Sequence, residues 1–239
     1  MAKAKAKGGK GFYILIAAVV VVGGFLLYNA GGSDEAPELT PISLAGGDIP
    51  ADMSSGTAIG AEDAPVVIME FSDFLCPHCR TFNGLSGKLL RQNYASTGAV
   101  RWISFDFPLW PDSWAPAIAA QCAKRQGKYY EMKDLLFARV ESWSGGGNPN
   151  RKFVDYARDL GLDAGAFKAC VDGQETAAAV QASRTYGESL GISSTPSIFF
   201  NGEPYRLTGG DYGYGAMEER IKAIVAGGDD NVQLELMGV

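Results

Sequence analysis

The tetrad Cys76-Pro77-His78-Cys79 constrains this chain more than any other feature. It holds two of only four cysteines, and His78 is the only histidine among 239 residues. Two thiols at this spacing, at the start of a helix, close a small disulfide. The same spacing lets the first thiol attack a partner and the second resolve the mixed disulfide. The fold must therefore set a helix N-terminus under Cys76 and place Cys79 one turn inward.

The flanking sequence supplies that frame. Pro65-Val66-Val67-Ile68-Met69-Glu70-Phe71 is a short apolar run, β-branched at Val66, Val67 and Ile68, of the kind a buried central strand shows. It passes through Ser72-Asp73-Phe74-Leu75 into the tetrad, and a helical stretch follows to about Tyr94. Ala99–Phe105 reads as a second strand. A strand–helix–strand unit results, with the cysteines at the carboxyl end of a strand, where open α/β sheets place their sites.

From Asp112 to Leu190 the pattern is helical, with helices expected over 113–125, 127–140, 150–160, 163–171 and 174–190. Asn148-Pro149-Asn150 and Asp163 are expected N-caps, and Gly145-Gly146-Gly147 breaks the middle. Ser197–Phe200, Asn201-Gly202 and Tyr205-Arg206-Leu207 read as a hairpin on a two-residue turn, and a last helix covers 214–226.

Charge and hydropathy divide the N-terminal part. Net charge is −6, but Lys3, Lys5, Lys7 and Lys10 stand before any acid, which leaves −10 on the rest. So acidic a domain argues against nucleic acid as its partner, though the charge also simply serves solubility. Phe12–Tyr28 is uncharged and apolar, and its 17 residues would span about 26 Å as a helix. With all four lysines before it, the N-terminus is expected in the cytoplasm and the remainder exported. A cleaved signal peptide competes, but Tyr28-Asn29-Ala30 is a poor exit site; a buried core helix is the third reading. The expected organisation is a basic cytoplasmic tail (1–11), a transmembrane signal anchor (12–29), a Gly/Ser/Pro-rich tether (30–56), a folded domain (57–226) with a helical insertion at about 112–190, and a tail (227–239).

With Glu70, Phe71-Ser72-Asp73-Phe74 leading into Cys76-Pro77-His78-Cys79, and Ser194-Thr195-Pro196 before the hairpin, the chain resembles the DsbA-type thiol–disulfide oxidoreductases of the thioredoxin superfamily. It looks closest to their membrane-tethered branch with a second cysteine pair. The resemblance covers residues 57–226 and implies an α/β thioredoxin fold with an inserted all-helical subdomain, preceded by one transmembrane helix.

Each residue has a bland reading beside its chemical one. Cys76, at the helix N-terminus, is the expected nucleophile, and Cys79 the buried resolving thiol. A structural disulfide or half a metal site competes, but no second CxxC is present, and Arg80 stands where haem attachment needs histidine. His78 either assists the Cys76 thiolate or fills surface. Pro77 pre-sets the first helical turn. For Glu70 a buried carboxyl with a raised pKa is expected; the resemblance implies that it relays protons to Cys79, whereas the plain reading is an acid at a strand end.

The resemblance further makes Thr195-Pro196 the cis-proline loop facing the cysteines, with the Thr195 backbone pairing with a substrate strand. Cys122 and Cys170 are expected to form a structural disulfide, or else a second redox pair. Trp110, Trp114, Phe105 and Phe107 either line a peptide groove or pack in the core. Tyr212 and Tyr214 read as an exposed loop.

These readings converge on an exported dithiol oxidase, a monomer without cofactor or metal, acting on reduced substrate proteins or peptides. The resemblance implies a quinone-linked membrane reoxidase of the DsbB or vitamin-K-epoxide-reductase (VKOR) type. A disulfide reductase or isomerase, a metallochaperone using Cys76, His78 and Cys79, and a tethered chaperone are the alternatives.

Overall fold

The computed structural model describes residues 53–207 and 212–227. The expected basic tail, membrane anchor, most of the tether and nearly all of the C-terminal tail lie outside the described residues. Among the described residues no helix is long and apolar enough to cross a membrane.

Strand β2 (Val66–Ser72) is buried along its whole length because both of its faces are covered. It runs parallel to β3 (Val100–Asp106), pairing Glu70 with Ser104, and antiparallel to β4 (Ser197–Phe200). With β1 (Thr57–Ile59) and β5 (Glu203–Tyr205) the sheet has five strands in the order β1-β3-β2-β4-β5. Alternation along β2 separates two cores. Val66 and Ile68 join Phe82, Leu90, Trp102 and Met217 on one face. Val67, Met69 and Phe71 join Phe105, Phe107 and Leu190 on the other.

Helix α1 covers residues 77–95. It opens as an α-helix over Pro77–Phe82 and takes wider π-helical turns at Asn83–Gly87 and Arg91–Ala95. A 3-10 turn at Pro111–Ser113 leads into the helical region: α2 (Trp114–Lys124), α3 (Tyr129–Ala138), α4 (Val140–Trp143), α5 (Asn150–Asp159), α6 (Ala164–Asp172) and α7 (Ala177–Ser189). Helix α8 (Tyr214–Val225) closes the described chain. Asp163 caps α6, accepting from the backbone N–H groups of Gly165 and Ala166.

Four sequence expectations are corrected. Strand β1 is too short to show a period and was not expected. The helix read over 127–140 breaks at Arg139, whose backbone leaves the helical region; the turn lets Trp143 stack edge-on against Phe153 and donate to the Leu136 carbonyl at 2.9 Å. The hairpin's second strand starts at Glu203 rather than Tyr205. Asn201 and Gly202 both take positive φ, as the tight turn requires, so pairing resumes at once, and Pro204 is tolerated on the sheet edge.

The fourth correction concerns α7, which does not belong to the insertion alone. Its first half, through Ala177 and Val180, packs in the helical core, while Tyr186 packs with the sheet. Gly187 lies so close to Phe107 and Phe71 that a Cβ there would sit 2.7 Å and 3.0 Å from their rings.

Cys122 on α2 and Cys170 on α6 are joined by a disulfide, with Cα atoms 5.9 Å apart. Closing a loop with a sequence separation of 48 stabilises the fold by about 4 kcal/mol on the chain-entropy view. Of the four aromatics ahead of the insertion, Phe105 and Phe107 are core residues, Trp110 is exposed, and Trp114 is half-buried against the helical core.

Candidate active site

Cys76 is the N-cap of α1, with extended backbone, and Pro77 occupies the first helical position. Proline costs nothing there, since the first N–H groups of a helix have no partner within it. Both cysteines are free thiols. Cys76 is 5% exposed and Cys79 fully buried. The Cys76 thiol reaches the Thr195 carbonyl at 3.3 Å, and the Thr195-Pro196 peptide is cis.

The two thiols are driven apart. A hydrogen bond from Cys79 does most to lower Cys76; burial opposes it, and the Thr195 side chain and the backbone N–H groups of Cys79 and His78 add to the lowering. The result is a pKa of about 5. Burial, then the hydrogen bond and charge of Cys76, push the Cys79 thiol well above its ordinary range. One thiol is thus a thiolate at neutral pH and the other is not.

The ultraviolet thiolate absorbance of the reduced chain will titrate with a midpoint near pH 5; a midpoint near the ordinary 9.0 would overturn this assignment. The folded value lies below the unfolded one. Cys76 therefore contributes stability to the reduced fold above about pH 9, and this is lost as pH falls toward 5.

Asp73 fixes the loop that delivers Cys76. Its buried carboxyl accepts from the Leu75 N–H and Leu109 N–H, each at 2.6 Å, and from the Ser113 hydroxyl at 2.8 Å, while its carbonyl accepts from Cys76 N–H. Burial raises its pKa, with those bonds opposing. One side chain thereby ties the tetrad to the chain after β3 and to the start of the insertion.

Two sequence-predicted residues are placed differently. Burial pushes the Glu70 carboxyl up, but Lys133 and Arg91 outweigh it and hold it below its ordinary value, not above. Lys133 Nζ lies 2.8 Å and Arg91 Nη1 3.8 Å from its oxygens, and Trp102 Nε1 and Ser104 Oγ each donate at 3.0 Å. Arg91 in turn bonds Asp134 at 2.8 Å. For His78, it is the backbone that lowers Cys76; the exposed imidazole shares a hydrogen bond through Nδ1 with the Tyr212 hydroxyl.

Lys133, Arg91, Asp73 and Tyr212 were missed as site residues. The sequence did hold a signal for two of them: Lys133 shares the apolar stripe of α3 with Met132 and Leu136, and Arg91 that of α1 with Leu90.

Beside Cys76 lies an open groove of about 550 Å³. Phe74, Leu75, Pro77, Thr81, Leu85 and Val140 form its walls. Arg80, paired with Glu141 on α4, also lines it. It is apolar apart from Arg80 and Thr81. The aromatic set considered from sequence takes no part in it.

The thioredoxin family model matches residues 53–222. A Na(+)/H(+) antiporter NhaA 3 of Salinispora tropica is 28% identical over 66% of this chain and 24% of its own length. The chain thus spans about a quarter of such antiporter relatives. A probable disulfide bond formation protein D of Bacillus anthracis is 25% identical over 62% of this chain and 71% of its own. Among solved structures, oxidised BdbD from Bacillus subtilis superposes with a TM-score of 0.64 at 19% identity, covering 73% of this chain and 95% of that one. A family model that matches most of the sequence makes this chain, with the fold and dithiol site just described, a member of the thioredoxin family.

Proposed function

We propose that the chain is a thiol–disulfide oxidoreductase working as a dithiol oxidase on exported proteins. The observation that carries this reading is the split between the two thiols, with Cys76 lowered to about 5 and Cys79 raised. A thiol of low pKa is a good leaving group, which favours giving the disulfide away.

In the oxidised chain, a substrate thiolate attacks Cys76 Sγ. The Cys76–Cys79 bond breaks, and Cys79 leaves and takes a proton. A second substrate thiolate then attacks the substrate sulfur of the mixed disulfide and releases Cys76 as a thiolate. The substrate gains a disulfide and the chain gains two electrons. The apolar groove beside Cys76 suits an unfolded segment, and the Thr195 carbonyl suits backbone pairing with it.

Glu70, expected as a proton relay, takes another role in this reading. A carboxylate held down by Lys133 and Arg91 is a poor proton acceptor, so we assign it to anchoring that charge cluster. The apolar segment Phe12–Tyr28, with lysines only on its N-terminal side, supports a membrane anchor with the domain outside the cytoplasm, and a quinone-linked reoxidase of DsbB or VKOR type would take up the two electrons. Ion transport is not carried over from the antiporters, of which this chain matches a quarter.

The test is the reduction potential of the full chain equilibrated with glutathione. A value near about −120 mV is expected; one near about −270 mV would overturn the oxidase direction in favour of a reductase.

A further inference from the structure

Tyr212 is held by more than its own loop. Its φ of 56° is uncommon for a residue with a side chain, and Gly213 follows at 85°. Its carbonyl accepts from the hydroxyl of Ser86, a fully buried residue of α1, at 3.0 Å. The backbone at 212 is thereby pinned to the helix that carries the cysteines. From there its ring lies nearly parallel to His78, with centroids 6.1 Å apart at 21°, and its hydroxyl meets Nδ1. Burial, then the charges of Cys76 and Cys79, push the phenol pKa up.

His78 Nδ1 is therefore already engaged, and with it the orientation of the ring. The groups that lower Cys76 most are Cys79, Thr195 and backbone N–H groups, and the His78 ring is not among them. We propose that Tyr212 is a positioning residue that ties up the His78 imidazole and thereby limits how far this histidine assists the Cys76 thiolate. Released from Tyr212, an imidazole two residues from Cys76 is free to turn and to aim a ring N–H at the thiolate. A charge-assisted bond of that kind stabilises the reduced form and makes the disulfide more oxidising.

This inference rests on the redox reading of the Cys76–Cys79 pair, and the experiment separates the two. The reduction potentials of the full chain, Tyr212→Phe, His78→Ala and the double variant are measured against glutathione. Failure of the unsubstituted chain to exchange would sink the redox reading itself. If it exchanges, Tyr212→Phe, which keeps the ring, is expected to shift the equilibrium about threefold to tenfold toward stronger oxidation, about 15–30 mV. The shift is expected to vanish in the His78→Ala background. No shift, a shift of opposite sign, or the same shift in both backgrounds would overturn the inference.

Discussion

Cys76→Ser will abolish disulfide exchange, with a loss of at least about a thousandfold, while Cys79→Ser will lose the oxidation of reduced substrates, having no disulfide to donate, yet will still form a mixed disulfide through Cys76 when it meets a disulfide-bonded substrate. The asymmetry follows from burial and charge. Cys79 is fully buried and its thiol is pushed up, so an incoming sulfur reaches only Cys76. Cys76 is the one thiolate at neutral pH, held by Cys79, Thr195 and the N-terminal N–H groups of α1. A serine at 76 offers neither a disulfide nor a leaving group. A serine at 79 removes the bond that is donated; in that variant the Cys76 thiolate can only attack a substrate disulfide, expelling one substrate thiolate, and no Cys79 thiol is present to cleave the adduct from within the chain. The measurement is refolding of a reduced secreted protein by the oxidised chain, together with incubation of reduced Cys79→Ser with a disulfide-bonded protein, the mixed disulfides being separated on non-reducing gels. Retention of a tenth of the activity by Cys76→Ser, or adducts forming through Cys79 in that variant, would defeat the assignment.

Lys133→Met will cost the fold about 3–5 kcal/mol, because it strands the Glu70 carboxylate in a fully buried site. Both side chains of this pair have no solvent exposure, and Arg91, 3.8 Å away, is already committed to Asp134. Adding Glu70→Gln removes the stranded charge and keeps acceptors for Trp102 and Ser104, so the double variant will recover more than half of the loss. Urea midpoints measure both. A Lys133→Met midpoint equal to that of the unsubstituted chain would show that the pair contributes nothing.

The acid limb of stability has a definite sign. Glu70's folded pKa lies below its ordinary 4.5, so the unfolded chain binds more protons there. The stability it contributes is present above about pH 4.5 and is lost as pH falls below it. Glu70→Gln will flatten that limb.

The frame of the site was legible because local chemistry specifies it. The β-branched run at 66–68, a proline at the first helical position and an Asn-Gly turn each have one natural structural reading, whereas the cis Thr195-Pro196 bond was legible only through the resemblance. The long insertion helices were read within a few residues for the same reason. What escaped notice depends on distance in sequence. Lys133 was one polar letter in a helical stretch, and only the packing of α3 against the sheet reveals that it answers Glu70. Tyr212 looked like loop filler because its partner lies 134 residues earlier. His78 was identified as the ring beside the thiol, yet its backbone reaches Cys76 while its imidazole turns to Tyr212. A strand of three residues, such as β1, carries no period to read.

Helix α7, whose first half packs in the helical core and whose second half packs on the sheet, bears on how this fold can be re-engineered. The insertion cannot be excised as a cassette. A cut joining residue 111 to residue 191 would also strip Tyr186 and Gly187 from Phe71 and Phe107, uncovering part of one side of the central strand. A smaller, insertion-free version of this protein would need a replacement helix there, designed for close approach to two aromatic rings.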